Sequence, residues 1–152
     1  MESAENIQTE TTKIQILPLV AAIVALVGMI DSIYLTVHHY TGEKVPCSVT
    51  GGCETVLSSL YSEIAGIPLA LFGALAYFTV FSLATLAAFG DNRTWKILSV
   101  IVVLMAIFSL WLIYLQAFVI GAFCQFCLLS AGTTFTLFLL VIIRQFLPKK
   151  LS

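Results

Sequence analysis

Long apolar runs, separated by short polar segments, dominate the chain. The runs cover about residues 17–37, 67–89, 97–120 and 124–143, and only the first contains a charged residue, Asp31. At ~1.5 Å per residue in a helix, each run is long enough to cross a hydrocarbon core of ~30 Å. Backbone polar groups in lipid must be satisfied within their own segment, and so the pattern predicts an all-α, polytopic membrane four-helix bundle.

The remaining segments are polar and short. Residues 1–13 are polar and acid-rich, which predicts a disordered cytoplasmic tail. Residues 14–147 then form the membrane domain, and residues 148–152 form a basic cytoplasmic tail. A chain of 152 residues has room for one such domain.

The connections between the four runs differ in length. Residues 38–66 form a long polar loop, in which residues 54–61 predict a short amphipathic helix lying over the bundle. Residues 90–96 are a short charged turn. Residues 121–123 are so few that the third and fourth helices must form a tight hairpin.

Composition supports insertion into a membrane. Hydrophobic residues make up 60% of the chain and charged residues 10%, against roughly 25% charged in soluble domains. Too little polar sequence remains to cover four buried helices in water. The net charge of −1 gives no indication of nucleic-acid binding or of a polybasic lipid-binding segment.

The basic residues predict the orientation. One side of a four-span topology carries six of them: Lys13, Arg93, Lys96, Arg144, Lys149 and Lys150. The other side carries Lys44 alone. Because basic residues concentrate in cytoplasmic loops, both termini are predicted to be cytoplasmic and the first and third loops to lie outside. All four cysteines then face the oxidising compartment.

A CxxC motif opens the fourth run. Cys124 and Cys127 are three residues apart at a predicted helix N-terminus, a spacing that places both sulfurs on one helix face. The positive end of the helix dipole favours a thiolate there. Phe123 and Phe126 flank the pair and predict an apolar pocket in which a lipid-soluble oxidant can dock.

A second pair, Cys47 and Cys53, lies in the first outer loop, with Gly51 and Gly52 between the two cysteines. The glycines predict a loop able to swing its sulfurs towards another pair. Disulfide exchange requires that one thiolate reach another pair's sulfur. The two pairs together suggest a relay.

Other interpretations of these residues stay open. Two structural disulfides, or a four-thiolate zinc site, use the same cysteines, and His38 or His39 would supply a further zinc ligand. The oxidising side and the five-residue gap in the first pair disfavour zinc. Asp31 lies inside a span, where an acid is either a proton donor or a hydrogen-bonded packing residue.

The order of these motifs resembles the vitamin K epoxide reductase family, in particular its prokaryotic quinone-linked members. A widely spaced loop pair is followed, six residues after its second cysteine, by Ser59, and later by a CxxC opening the fourth helix. Residues 53–59 and 66–73 look like the family's prokaryotic signature. The resemblance covers about residues 15–146 and implies the same four-helix fold.

The resemblance also implies a role for each site residue. Cys47 would form a mixed disulfide with an external dithiol protein. Cys53 would then attack Cys124. Cys127 would remain as the thiolate that faces a quinone, with Ser59 near the quinone head group.

By the same resemblance, the chain is a quinone-dependent thiol–disulfide oxidoreductase that supports disulfide formation in exported proteins. It implies a quinone of the ubiquinone, menaquinone or phylloquinone type, no metal, and residence in a prokaryotic plasma membrane. Nothing after Arg144 encodes a thioredoxin-like domain, so a separate extracytoplasmic thioredoxin-like partner is expected.

Two alternatives accompany this expectation. One is an endoplasmic-reticulum vitamin K quinone or epoxide reductase, and the other is a non-catalytic tetraspan with structural disulfides. Animal enzymes of the family carry a Tyr and an Asn near the quinone carbonyls, where this chain has Ala131 and Leu69. This departure argues against epoxide reduction of the animal type.

Overall fold

The structure is a computed structural model that describes residues 2–47 and 51–146, with side chains from residue 16 onward. The predicted basic tail at 148–152 lies outside the described residues. In chain order, the elements are α1 Glu2–Thr41, α2 Cys53–Leu57, a 3₁₀ helix Leu60–Ser62, β1 Glu63–Ile64, β2 Ile67–Pro68, α3 Leu69–Ala88, α4 Asn92–Tyr114, a π-helical turn Leu115–Ile120 and α5 Gln125–Phe146.

Four of these helices are long and apolar enough to cross a membrane. The spanning segments are Ile16–Thr41, Leu69–Ala88, Asn92–Ile120 and Gln125–Phe146. Large apolar side chains cover their outer faces, and such a surface requires lipid rather than water. The predicted all-α membrane four-helix bundle is therefore confirmed, and the chain is an integral membrane protein.

The first helix begins earlier than the sequence predicts. The backbone of residues 2–13, expected to be a disordered tail, continues α1. This segment contains Ala, Glu and Gln, which have high helix propensity and can extend a helix already nucleated in the membrane.

The start of α3 differs by two residues from the predicted span at 67–89. Ile67–Pro68 instead forms β2, which pairs antiparallel with β1 in the register Glu63↔Pro68 and Ile64↔Ile67. Proline at the last strand position donates no hydrogen bond but is well placed just before the first turn of a helix.

The charged segment at 90–96, predicted as a turn, is mostly the first turns of α4. Asp91 caps this helix, because its side chain accepts hydrogen bonds from the Arg93 amide at 3.1 Å and from the Thr94 hydroxyl. An acidic residue at the N-cap satisfies a free backbone amide and complements the helix dipole. The helix consequently starts before the apolar run does.

The long helices pack in a closed square. The helix α1 contacts α3 and α5, and α4 contacts the same two helices from the opposite corner. Tyr77, Leu98 and Leu137 are almost fully buried at the centre. Gly28 permits the close approach of α1 to α3, because any Cβ at this position would overlap the Tyr77 ring. The two cysteine-bearing segments lie together at one end of this square.

A short loop helix is present as predicted, but α2 ends at Leu57, and the second half of the predicted segment 54–61 leads into the 3₁₀ helix Leu60–Ser62. Cys53 and Val56 of α2 are buried towards the bundle, while Glu54 and Thr55 are exposed. This is the alternation expected of a short amphipathic helix that covers the end of the bundle.

Candidate active site

The two cysteine pairs meet in one buried cluster. Cys53 and Cys124 are each 0% exposed and pack together with Val56, while Cys47 and Cys127 are partly buried against them. Cys47 and Cys53 form a disulfide with a Cα–Cα distance of 5.9 Å. Cys124 and Cys127 are free thiols. One pair is therefore oxidised and the other reduced, side by side.

A close backbone approach holds the loop pair over the start of α5. Gly52 immediately precedes α2 and lies against the segment that joins α4 to α5. A Cβ at Gly52 would lie 2.7 Å from the Phe123 carbonyl oxygen and 3.0 Å from the Phe123 nitrogen. Because backbone atoms cannot swing aside as a side-chain end can, this contact requires glycine.

Two hydrogen bonds fix Cys124 just before α5. Its carbonyl oxygen accepts from the Leu128 amide at 3.0 Å, as expected at a helix N-cap. Its own amide donates to Gln116 Oε1 at 3.1 Å. Gln116 is 4% exposed and belongs to the π-helical turn that ends α4. The turn thus anchors the redox end of α5.

The surroundings of Cys124 favour its thiolate. A hydrogen bond from the Cys127 thiol is the largest influence lowering the Cys124 pKa, and the amides of Cys127 and Phe126 add to it. Burial and the negative charge of Asp31 act in the opposite direction. The net result lowers the Cys124 pKa from 9.0 to about 7. This agrees with the expected effect of a helix N-terminus on a CxxC motif.

A cavity of about 460 Å³ adjoins the reduced pair. Its wall is mostly apolar, and it is formed by α1, α3, α4, α5 and the α2 region of the loop. Cys127 contributes to this wall, whereas Cys124 faces the cluster with Cys53. Both thiols of the CxxC motif thus adjoin the loop disulfide, and of the two only Cys127 also lies in the cavity wall.

Ser59 also lies in the cavity wall, as the interpretation of it as a quinone-binding residue requires. Its hydroxyl donates to the Val56 carbonyl at 2.7 Å. Asp31 is 7% exposed within α1, and it is the neighbouring Ser32 that contributes to the wall. Among the described residues, Asp31 Oδ2 has no hydrogen-bond partner.

The histidines considered as zinc ligands have other partners. His39 Nε2 lies 3.1 Å from Glu63 Oε1, and His38 packs edge-on against the Tyr34 ring at 4.4 Å. The Cys47–Cys53 disulfide also consumes two of the thiolates that a four-cysteine zinc site needs.

Sequence reasoning missed several polar residues of the cavity wall, and two of them bear on the arrangement of the site. One is Gln116. The other is Tyr77, whose hydroxyl donates to the Ser130 carbonyl at 2.6 Å and lies 2.8 Å from Thr134 Oγ1. Gln116 could have been identified from the sequence, because it is the one amide side chain in the apolar run at 97–120. Tyr77 resembles any other aromatic residue of a membrane helix.

The fold and the site together define a membrane-spanning protein with a dithiol and a disulfide in contact beside an apolar cavity. Residues 19–142 match the sequence model of the Vitamin K epoxide reductase family. The chain belongs to this family, which confirms the resemblance deduced from its motifs.

A curated relative supports the assignment. The Thiol-disulfide oxidoreductase LTO1 of Arabidopsis thaliana is 30% identical to this chain over an alignment of 121 residues, which covers 74% of this chain and 32% of the relative. The chain thus spans about a third of the length of this relative.

Proposed function

We propose that the protein is a membrane thiol–disulfide oxidoreductase that passes electrons from a reduced thioredoxin-like protein to a quinone. The observation that supports this most strongly is the division of the CxxC motif. Cys124 is buried against Cys53, and Cys127 lies in the wall of the cavity. A relay needs both contacts at once, whereas two structural disulfides need neither a reduced pair nor an adjoining cavity.

The first step takes electrons from the external partner. A thiolate of the reduced partner attacks Cys47, and the Cys53 sulfur leaves. The partner's second thiolate then attacks the partner's first sulfur in the mixed disulfide, and the Cys47 thiolate leaves. The partner leaves oxidised, and Cys47 and Cys53 become thiols that hold its two electrons.

The second step moves the electrons inward. With the inner pair oxidised, the Cys53 thiolate attacks Cys124 and the Cys127 thiolate leaves. Cys47 then attacks Cys53, and Cys124 leaves. The lowered pKa of Cys124 makes it a good leaving group in this exchange. The product has an oxidised outer pair and a reduced inner pair, which is the arrangement in the structure.

The third step oxidises the inner pair. Two electrons pass from the reduced Cys124–Cys127 pair to a quinone in the cavity, and the quinone takes up two protons, giving a quinol and restoring the disulfide. We place the head group near Ser59 and assign Asp31, a buried acid beside the cavity wall, to proton delivery. The quinone is of the ubiquinone, menaquinone or phylloquinone type.

The cavity wall favours quinone reduction over epoxide reduction of the animal type. Leu69 and Ala131 occupy the positions where animal enzymes carry Asn and Tyr, and both contribute to the wall. Their side chains cannot donate a hydrogen bond or a proton to an epoxide oxygen, which opening of an epoxide ring requires.

The outer face is proposed as the site of the cysteines, in a prokaryotic plasma membrane with both termini in the cytoplasm. The six-to-one distribution of basic residues supports this. A membrane-impermeant thiol reagent added to intact cells after mild reduction should label Cys47. Labelling that requires opening of the inner face would reverse the orientation and remove access for an extracytoplasmic partner.

The test of the function is direct. The purified protein in lipid nanodiscs is given a reduced thioredoxin-like protein and, separately, each type of quinone. Quinol formation is followed by ultraviolet absorbance, with partner oxidation measured in parallel. Equal amounts of quinol and partner disulfide are expected. Partner oxidation without quinol formation from any of the three quinone types would overturn the proposal.

A further inference from the structure

The two ends of the Gln116 side-chain amide lie in different surroundings. The oxygen accepts a hydrogen bond from the Cys124 amide at 3.1 Å. Because a backbone N–H can only donate, this partner must be the amide oxygen and not the nitrogen. The NH₂ group, which can only donate, is therefore the end left over.

That NH₂ group belongs to a residue of the cavity wall. The hydrogen bond to the Cys124 amide uses the oxygen of this side chain and not the NH₂ group. Gln116 is 4% exposed as a whole. A donor in the wall of an apolar cavity can bind an acceptor carried by an occupant of that cavity.

The backbone points Gln116 inward. The turn Leu115–Ile120 is π-helical, and Leu115 and Gln116 are its buried residues. A π-helical turn inserts one extra residue and rotates the side chains that follow; such turns occur frequently at functional sites. Here the turn places the amide between the cavity and the N-terminus of α5.

Two of the hydroxyls in the cavity wall already donate to carbonyl groups of the protein. Ser59 donates to the Val56 carbonyl at 2.7 Å and Tyr77 donates to the Ser130 carbonyl at 2.6 Å. Their protons are not available to a ligand without breaking these bonds. The NH₂ of Gln116 takes no part in the hydrogen bond to Cys124.

We infer that Gln116 binds the quinone, donating a hydrogen bond from its amide nitrogen to one carbonyl oxygen of the head group. This inference rests on the proposed function. A quinone carbonyl can only accept, and therefore matches a group that can only donate. The oxygen of the same side-chain amide binds the Cys124 backbone, and Cys127 follows Cys124 within one helical turn. A hydrogen bond from the Gln116 nitrogen would therefore hold the quinone ring beside the Cys127 sulfur. Gln116 transfers neither electrons nor protons in this role.

Two substitutions of similar size at Gln116 distinguish quinone binding from the positioning of Cys124. Gln116→Glu, when ionised, keeps an oxygen for the Cys124 amide but replaces the donor by a second acceptor. Its KM for decylubiquinone should rise about tenfold or more. The rate of Cys53–Cys124 exchange, measured by acid-quench trapping without quinone, should fall less in Gln116→Glu than in Gln116→Met, because the glutamate keeps the acceptor for the Cys124 amide. Gln116→Met loses both groups and should impair both measurements.

The pH dependence of the quinone KM adds a second measurement, which would not change if Gln116 only positioned Cys124. The carboxyl group introduced in Gln116→Glu can donate once it is protonated, and so the KM defect of this variant should shrink on acidification. The KM of the wild-type protein should not follow. An unchanged quinone KM in Gln116→Glu, with slow exchange in Gln116→Met, would show that Gln116 only positions Cys124.

A second measurement uses the wild-type protein and is independent of how the variants fold. The infrared carbonyl stretch of ¹³C-carbonyl-labelled decylubiquinone should shift to lower frequency for one carbonyl on binding. If both carbonyls keep their frequency in lipid, the inference is wrong. Absence of quinone reduction by the wild-type protein would instead overturn the proposed function, and with it this inference.

Discussion

Cys53 and Cys124 lie in one fully buried cluster, although the first belongs to the loop after α1 and the second to the start of α5. Neither is accessible to solvent, and so exchange between them is protected from small thiols and oxidants. Cys47 and Cys127 are partly buried against this cluster, and Cys127 also lies in the cavity wall. In the proposed relay, electrons enter at Cys47 and leave at Cys127.

The entry point can be tested by removing Cys53, the disulfide partner of Cys47. In Cys53→Ser the Cys47 thiolate can attack the disulfide of the oxidised partner protein and displace that protein's second thiolate, and no Cys53 remains to attack Cys47 and release the partner. We expect a Cys47–partner adduct to accumulate when cells are trapped with acid and run on non-reducing gels. The double variant Cys47→Ser, Cys53→Ser is the matched control and should give no adduct. An adduct that persists in this control would assign entry to another cysteine.

The contact between Gly52 and Phe123 should be sensitive to a single methyl group. In Gly52→Ala the new Cβ meets backbone atoms at 2.7 and 3.0 Å, so the loop must shift. Overpacking of this kind costs about 1–3 kcal/mol. We expect the rate of Cys53–Cys124 exchange to fall about tenfold or more, measured by acid-quench mapping of disulfides.

Gly132→Ala is the control for this change. A Cβ at Gly132 meets nothing within 4 Å, and the residue lies inside α5. It should leave exchange unchanged and raise stability slightly, because Ala has a higher helix propensity than Gly. Equal exchange rates in the two variants would show that the approach of Gly52 to Phe123 does not control the relay.

Much of this arrangement is foreseeable from the chain alone. The apolar runs predict all four spans, and the spacing of Cys124 and Cys127 predicts a helix start because both depend on local periodicity. Two contacts could not be predicted in this way. Gly52 meets Phe123 from a distant part of the chain, and the Gln116–Cys124 hydrogen bond joins two helices across the turn between them, so that no local pattern encodes either contact. The start of α4 differs from the sequence prediction because capping by Asp91 outweighs the polarity of the residues that follow.

Asp31 can be examined by an isosteric change. Asp31→Asn keeps the shape of the side chain but removes its exchangeable acidic proton. If Asp31 delivers protons to the quinol, the quinone-reduction rate should fall about tenfold or more while partner-to-Cys124 exchange is unaffected. A solvent deuterium isotope effect on quinol formation should fall with it. Normal quinol formation in Asp31→Asn would leave the buried acid a packing residue.

The lowered pKa of Cys124 predicts a break in the pH dependence of the inner pair's reduction potential. Below about pH 7 reduction takes up two electrons and two protons, so the potential should fall by about 59 mV per pH unit. Above this pH the reduced Cys124 is a thiolate, only one proton is taken up, and the slope should fall to about 30 mV.

The measurement is a glutathione redox titration of the inner pair in the Cys47→Ser, Cys53→Ser background, followed by alkylation and mass spectrometry. The control adds Cys124→Ser, which should show no titrating pair. A constant slope through about pH 9 would mean that the Cys124 thiol keeps its ordinary pKa.

The exit to quinone can be assigned by comparing the two cysteines of the CxxC motif. Cys127 is the one in the cavity wall, while Cys124 faces Cys53. Cys127→Ser should abolish quinone reduction, because the inner disulfide can no longer form. In this variant the Cys124 thiolate can still attack Cys53 and displace Cys47, so acid quenching and mass spectrometry should map a Cys53–Cys124 disulfide in exchange with Cys47–Cys53. Cys124→Ser should instead strand the electrons on Cys47 and Cys53, with Cys127 a free thiol.

Both variants lose the inner disulfide, and so the trapped species, rather than the loss of turnover, distinguishes the roles. Quinol formation from a supplied dithiol protein is measured beside the disulfide map. Quinone reduction near the wild-type rate in Cys127→Ser, together with its loss in Cys124→Ser, would assign the exit to Cys124. The cavity would then contact the wrong sulfur for its proposed role, because Cys124 is 0% exposed and reaches a quinone only if the cluster with Cys53 opens.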